Sequence, residues 1–374
     1  MKKKILKSIF VVILLLPFFA AGCEQWYRDV KTPPKISSPR FSFDNDKIIF
    51  FHAKGNYGEK VVYEISSHKL YKYNGIPYWP NFSRDGKKYT YVSGEGEDRN
   101  IYVSNVDGSG VRQLTHNSNA NPVKVSGNFI IKHNAVPSFS PDGTRIIYVK
   151  SGVMRKRAMG GEMLSHWDVY EVDIATGKER HLTDYRFYTI SQPYYLSDGK
   201  RFVFSGDGPK YYPEEGPKDS KEWEKVFIEH KKKAEEYEKI YHDNRIFIID
   251  GGSDVLKPAF TNGEYSSRPM VSWNDTILFL SRTNEMDGSR TKHFNYDLFV
   301  YRSGEITRLT KMESYIFDAS ISADGLRAVF LAGDPREAEP SLWMVSADGT
   351  GLTKINIPWE QMEQPKDGAG GRSK

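Results

Sequence analysis

The sequence predicts an all-β fold: a six-bladed β-propeller of four-stranded blades, with one helical insertion in blade four. Three recurring observations predict it. An aliphatic residue is followed at once by an aromatic one six times, at Val62-Tyr63, Ile101-Tyr102, Val169-Tyr170, Ile246-Phe247, Leu298-Phe299 and Leu342-Trp343. Upstream of each pair stands a Ser-x-Asp-Gly-like turn. Downstream stands a Leu-Thr-like pair. Self-similarity at this period means one small sheet copied and stacked.

Blade three shows the frame in full. Pro137-Ser138-Phe139-Ser140-Pro141-Asp142-Gly143 leads into Ile146-Ile147-Tyr148-Val149, then Val169-Tyr170-Glu171-Val172, then Leu182-Thr183. The turns of the other blades are Pro39…Asp44, Pro80…Asp85-Gly86, Pro193…Asp198-Gly199, Pro269…Asn274 and Ala319…Asp324-Gly325. Six positions after the Asp comes an aromatic: Phe50, Tyr91, Tyr148, Phe204 and Phe330; blade five is one residue shorter and places Phe279 five positions after Asn274. The closing pairs are Leu70-Tyr71, Leu114-Thr115, Leu182-Thr183, Phe260-Thr261, Leu309-Thr310 and Leu352-Thr353.

Each part has a physical reason. Asp-Gly makes the tight turn, because Gly accepts positive φ cheaply and Asp can bond its own backbone. Short aromatic and β-branched runs suit pleated, buried strands. A Pro at the start of the first strand is tolerated where no ladder donor is needed. A lone four-stranded sheet cannot bury two apolar faces, whereas radial packing against its copies buries both.

These repeats resemble the TolB-type propeller, a divergent relative of WD-repeat propellers, over about residues 36–357. They are not true WD repeats, since Trp167-Asp168 has no partner at the equivalent places. They are not sialidase Asp-boxes, whose Gly is spaced one further from the Asp. The α/β domain and amino-terminal segment of TolB proteins have no match in this sequence. The resemblance therefore implies a propeller with a tendency to bind proteins, and not the Tol–Pal role.

Residues 1–22 read as a secretory signal: Lys2, Lys3, Lys4 and Lys7, an apolar core from Ile9 to Leu16, then Ala20-Ala21-Gly22. The apolar run is short for a membrane span, which needs roughly 20 residues. Ala20-Ala21-Gly22-Cys23 resembles a bacterial lipobox, which implies cleavage before Cys23 and its lipidation. The alternative is an ordinary signal with a chance cysteine. Glu24 rather than Asp after Cys23 implies outer-membrane sorting on the periplasmic side in a Gram-negative envelope. Residues 23–35 then form the lipidated tether, and 358–374 a disordered tail.

The formal charge of +5 misleads. Of the 53 basic side chains four lie in the signal, which leaves 49 against 48 acidic ones. That removes the electrostatic case for nucleic acid. A single cysteine removes disulfides and thiolate metal sites.

In such a blade the turns joining strands one–two and three–four lie on one face. Strands two–three, and successive blades, are joined on the other. The long insertions fall on that second face: 116–136, 150–166, 206–244, 281–295 and 332–340. Rigid scaffold with elaborated loops is the usual arrangement of a binding surface; drift would scatter insertions over both faces.

Within the blade-four insertion, about 208–243, Asp219-Ser220-Lys221-Glu222 reads as a capping box. Trp223, Val226, Phe227, Ala234, Tyr237, Ile240 and Tyr241 follow at helical spacing, which predicts a helix over about 220–242. Its apolar stripe either packs on the blade beneath it or serves as a lid or partner-docking surface. Arg155-Lys156-Arg157 could meet an anionic ligand. With His166 and His293 these residues define the candidate binding face: Arg155, Lys156, Arg157, His166, Trp223, Phe227, Tyr237 and His293.

No nucleophile elbow, zinc-protease or phosphate-loop motif is present. Ser205-Gly206-Asp207-Gly208 and Asp44-Asn45-Asp46 lack calcium-loop spacing. His116, His133, His166 and His293 fall in elaborated loops without metal spacing, so no catalytic residue, metal or cofactor is assigned. Two readings remain. One is a lipid-anchored envelope propeller that binds a protein or polymer through its loop-rich face. The other is a propeller enzyme, a glycan lyase or hydrolase. It would need convergence of groups from His116, His133, His166, His293, Asp207, Glu285 and Asp287 at the channel mouth.

Overall fold

A computed structural model describes residues 36–362, apart from 55–56, 73–79, 95–98, 118–122, 126–127, 132–133, 152–153, 156–166, 186, 188, 208–243, 251–257, 261–264, 284–295, 313 and 335–339. Six antiparallel meanders follow in chain order, spanning 36–72, 81–113, 134–181, 189–260, 266–308 and 315–354. Each is one blade of a β-propeller. The first strand of blade four is split into Thr189–Ile190 and Tyr194–Tyr195, both paired to Phe202–Asp207. Every blade is a contiguous stretch of chain, so no strand is exchanged between the first blade and the last.

The recurring pairs are the third strands. The aliphatic member of every pair is at most 2% exposed. In blades two to six the aromatic member meets the aromatic of strand two directly across the ladder: Tyr91↔Tyr102, Tyr148↔Tyr170, Phe204↔Phe247, Phe279↔Phe299 and Phe330↔Trp343; in blade one Tyr63 faces Ile48 and Phe50 faces Val61. Ring centroids of Tyr91 and Tyr102 lie 5.5 Å apart, and those of Phe279 and Phe299 5.6 Å, both stacked. Such directly opposed aromatic pairs pin register, since a one-residue slip would turn every side chain to the other face.

Pro80 and Pro193 stand at the strand start as expected, directly before Asn81–Phe82 and Tyr194–Tyr195, but three prolines sit elsewhere. Pro39, Pro137 and Pro269 lie inside the first strands at register shifts, between Ser37/Arg40, Ala135/Ser138 and Ser267/Met270. The residue before each has positive φ: Ser38 55°, Val136 47° and Arg268 52°. A bulge leaves a residue unpaired, so the missing N–H costs no ladder bond, and the bend re-aims the strand that lines the channel.

Five of the six turns use one hydrogen-bond pattern, and blade four, with Leu196 in place of the serine, does not. Ser83 Oγ donates to Asp85 Oδ1 at 2.6 Å, and Lys88 N–H donates back to Ser83 Oγ at 3.0 Å. Ser140–Asp142 and Ser322–Asp324 repeat it, each at 2.6 Å. Gly86, Gly143, Gly199 and Gly325 hold φ between 65° and 71°. Where blades one and five lack that glycine, Asn45 and Asp275 take φ of 60° and 63°, as short Asx side chains can.

Two closing pairs are out of step. In blades two, three and five the Leu follows the fourth strand, and its N–H bonds the aliphatic residue of the pair. In blade six that bond runs from Ile355 to Leu342 at 2.8 Å. Leu352, expected in this role, is 40% exposed. In blade one Tyr71, not Leu70, stands opposite Val62.

Apolar clusters bridge blades two–three, three–four, four–five, five–six and six–one. No such cluster bridges blades one and two among the described residues; there the Phe43 ring lies against Gly86. Residues 358–362, expected in the disordered tail, are instead placed on blade one. Trp359–Met362 form a 3-10 turn, and Trp359 packs edge-on to Phe50 at 6.1 Å and over His52 at 4.3 Å. Gln361 Oε1 accepts the Leu70 N–H at 2.7 Å. Ile355 and Ile357, with Trp359 and Met362 of the segment expected as tail, pack against the cluster that ties blade six to blade one. The helix expected over 220–242 lies outside the described residues. Among the described residues no helix is long and apolar enough to cross a membrane.

The turn aspartates make acid stability a test. The Ser83 hydroxyl and the Lys87 N–H hold Asp85 below the usual carboxylate range. The hydrogen bonds to Asp142 from Ser140 and Thr144 outweigh its burial and do the same. A depressed folded pKa adds stability that is complete above the unfolded value, about 3.9, and is lost as pH falls through the folded value. The urea midpoint should therefore drop between about pH 5 and pH 2, and Asp85→Asn should flatten that dependence. An unchanged slope in the variant would show that the turn carboxylate contributes nothing.

Candidate functional site

Most of the expected binding face lies outside the described residues: Lys156, Arg157, His166, Trp223, Phe227, Tyr237 and His293, as does the expected lipidation site Cys23. So do His133, Glu285 and Asp287. His116 is exposed just past the fourth strand of blade two, and Asp207 is half-buried at the end of Phe202–Asp207. Arg155 ends the strand Met154–Arg155.

That strand belongs to a sheet the sequence reading did not foresee. Val123–Val125, Asn128–Ile131 and Met154–Arg155 form three antiparallel strands outside the blades. Ile130 pairs with Arg155, so the blade two–three connection and the two–three loop of blade three, both expected as loops, pair with each other. A signal was present: two β-prone runs, Val123-Lys124-Val125 and Phe129-Ile130-Ile131, flank a Ser126-Gly127 turn dipeptide.

At the same end of the blades a second motif recurs. The residue before the aliphatic-aromatic pair is Asn100, Asp168 or Asp297 in blades two, three and five. Its side-chain oxygen accepts the Thr hydroxyl of the closing pair: Thr115 at 3.1 Å, Thr183 at 2.9 Å and Thr310 at 2.7 Å. The same Thr oxygen accepts the N–H of the pair's aliphatic residue, at 2.9 Å in all three blades. The same Asx oxygen then anchors the outgoing chain through the N–H of Asn117, Tyr185 or Met312. This lock fixes where each connection leaves the ring. It gives the Thr of the closing pair its role in blades two, three and five.

In blade three the lock carries extra chemistry. Asp168, His181 and Asp184 place one ligand-capable atom each within 4.8 Å of one another. Asp168 is buried and the other two are exposed. Tyr170 stacks on His181 at 4.3 Å. The corresponding residues in blade five are Asp297, Arg308 and Lys311, and there Arg308 pairs with Asp297. Strand pairing joins these residues, with Tyr170 opposite His181, so linear spacing hid the group.

At the opposite end the channel opens into a cavity of about 130 Å³. All six blades line it, through the ends of their first strands and the turns that follow. Arg40 and Arg84 are its charged lining residues. Arg40 is occupied: it donates to Pro39 O at 2.8 Å and Ala319 O at 3.3 Å, and pairs with Asp318 at 3.4 Å. Burial pushes the Tyr194 hydroxyl up to about 12.

Comparison with solved structures agrees with the geometry. TolB from Acinetobacter baumannii superposes with a TM-score of 0.52 at 18% identity, over 82% of this chain and 62% of that one. An oligogalacturonate lyase in complex with manganese gives 0.49 at 14% identity, over 88% and 80%. A putative TolB from Agrobacterium tumefaciens gives 0.47 at 15%, over 84% and 91%. The chain thus spans 62% of the length of the Acinetobacter protein. No family model matches the chain, and no curated protein does. The fold is a TolB-type six-bladed propeller. At these identities the likeness extends to the fold alone.

Replacing Thr310 tests the lock. Thr310→Val keeps the shape, removes the hydroxyl from Asp297 and leaves the Leu298 N–H without its acceptor. A loss of about 1–3 kcal/mol is expected from the urea midpoint, the cost of stranding buried polar groups. A midpoint within experimental error of the parent would show the motif to be incidental.

Proposed function

We propose that this chain is a lipid-anchored cell-envelope propeller that acts as a binding scaffold, capturing an envelope protein or polymer on its elaborated face. The observation that carries the reading is the sheet built by two insertions that pair outside the ring. Loop drift lengthens single connections; it does not give two connections a common ladder. The Asx–Thr locks under that face give the loops fixed points of departure, as a binding surface on a rigid scaffold requires. In this reading the helix over about 220–242 supplies the Trp223, Phe227 and Tyr237 stripe. Arg155, Lys156 and Arg157, with His166 and His293, supply the polar part. The anchor at Cys23, in the outer membrane if the host is Gram-negative, would hold the scaffold near its partner.

Crosslinking in intact envelopes, followed by capture of the full chain, tests this. Deleting 208–243 should abolish the crosslinked product while leaving the thermal transition of the propeller in place. Cys23→Ser should move the protein from the membrane pellet to the soluble fraction. An unchanged crosslink after the deletion contradicts the binding face. Depolymerisation of an acidic glycan by the native chain, without stable capture, favours the enzyme reading instead.

A further inference from the structure

The turn-side mouth of the channel is the opposite end from the elaborated face, and its chemistry is of another kind. The residue after the turn serine projects there, and it differs from blade to blade: Phe43, Arg84, Pro141, Trp273 and Ala323 all line the cavity. Its volume of about 130 Å³ is some ten times what one ordered water needs, roughly 10–15 Å³. No carboxylate is part of the lining.

Three donors in this lining have no partner among the described residues. Arg84 is half-buried and makes no hydrogen bond or ion pair. The carboxylate whose field it feels is Asp275, and both Asp275 oxygens are taken by Ser197, at 2.7 Å and 2.6 Å. Burial pulls the Arg84 guanidinium down from its ordinary value, though a guanidinium stays charged. Tyr194 is 9% exposed, lines the cavity and has no hydrogen-bond partner for its hydroxyl. The Asn81 amide lines it too and is likewise unbonded. Unpaired donors in a partly desolvated cavity are costly, and a guanidinium satisfies a planar oxyanion with two parallel bonds.

The rim supplies the other half of the specificity. Phe43 is 42% exposed and Trp273 40%, both on this cavity. Large aromatics left open beside a basic pocket offer flat faces to a ring.

We propose that the turn-side mouth is a binding site for a small oxyanion carried on a flat ring, a carboxylate or a phosphate. Arg84, Tyr194 and Asn81 hold the anion, and Phe43 and Trp273 cover the ring. The site is independent of the capture reading, because it uses none of the elaborated loops.

Calorimetric titration of the full chain with benzoate, phenyl phosphate and neutral benzyl alcohol tests it. Either anion should bind saturably, benzyl alcohol at least tenfold more weakly, and added salt should weaken the anion. The tighter of the two anions identifies the headgroup. Arg84→Gln should lower anion affinity at least tenfold with an unshifted thermal transition. Trp273→Ala should remove the preference for phenyl phosphate over inorganic phosphate. Arg302→Gln, on the outer part of blade five, should change nothing. Three results would each overturn the assignment: no saturable heat with either anion at millimolar concentration, equal binding of benzyl alcohol, or an Arg84→Gln protein that binds as the native one does.

Discussion

A four-stranded sheet with two apolar faces is unstable alone, and every other feature of this chain follows from that constraint. The faces can be covered only by neighbouring blades, so the sheets must close into a ring. The apolar clusters are accordingly shared between blades rather than contained within them. Because each blade is one contiguous stretch, the ends of the ring share no strand and are joined by lateral packing, with polar links such as the Arg40–Asp318 pair and the Leu70–Gln361 hydrogen bond beside it. Val329, Leu331 and Leu342 of blade six meet Ile48, Phe50 and Val61 of blade one, and the Trp359 turn lies over that joint.

The ring separates the work of its two ends. At one end short turns, five of the six locked by a serine hydroxyl on an Asx side chain, bring five different side chains to the channel mouth. At the other, the Asx–Thr locks fix the points from which long connections depart. The same repeat therefore presents a small polar cavity on one face and an extended surface on the other. Variation at a single turn position changes the first without touching the core, and variation in loop length does the same for the second.

What the sequence revealed divides along the same lines. Blade number, strand identity and turn chemistry were legible, because the aromatic pairs and Asp-Gly turns are local and repeat in register. The bulges at Pro39, Pro137 and Pro269 were half legible: proline marked the place, but only the ladder shows that the residue lies within the strand. The Trp359 clasp was hidden by its polar, Gly-rich surroundings in sequence. The Asp168–His181–Asp184 group and the channel mouth were not legible, because their members meet through strand pairing and ring closure, across 17 residues in one case and six blades in the other. The Asx of each lock was readable in principle, one place before the pair, but it is absent in blades one, four and six, where Val61, Arg245 and Ser341 stand.

The central claim is that closure by lateral packing, completed by the Trp359 turn, holds the ring. Native-state hydrogen exchange of the full chain and its Trp359→Ala variant measures it most directly, because exchange resolves local opening blade by blade. Loss of protection confined to blades one and six in the variant, with blades three to five retained, is the predicted result. Protection unchanged throughout, or lost equally in all six blades, would contradict it.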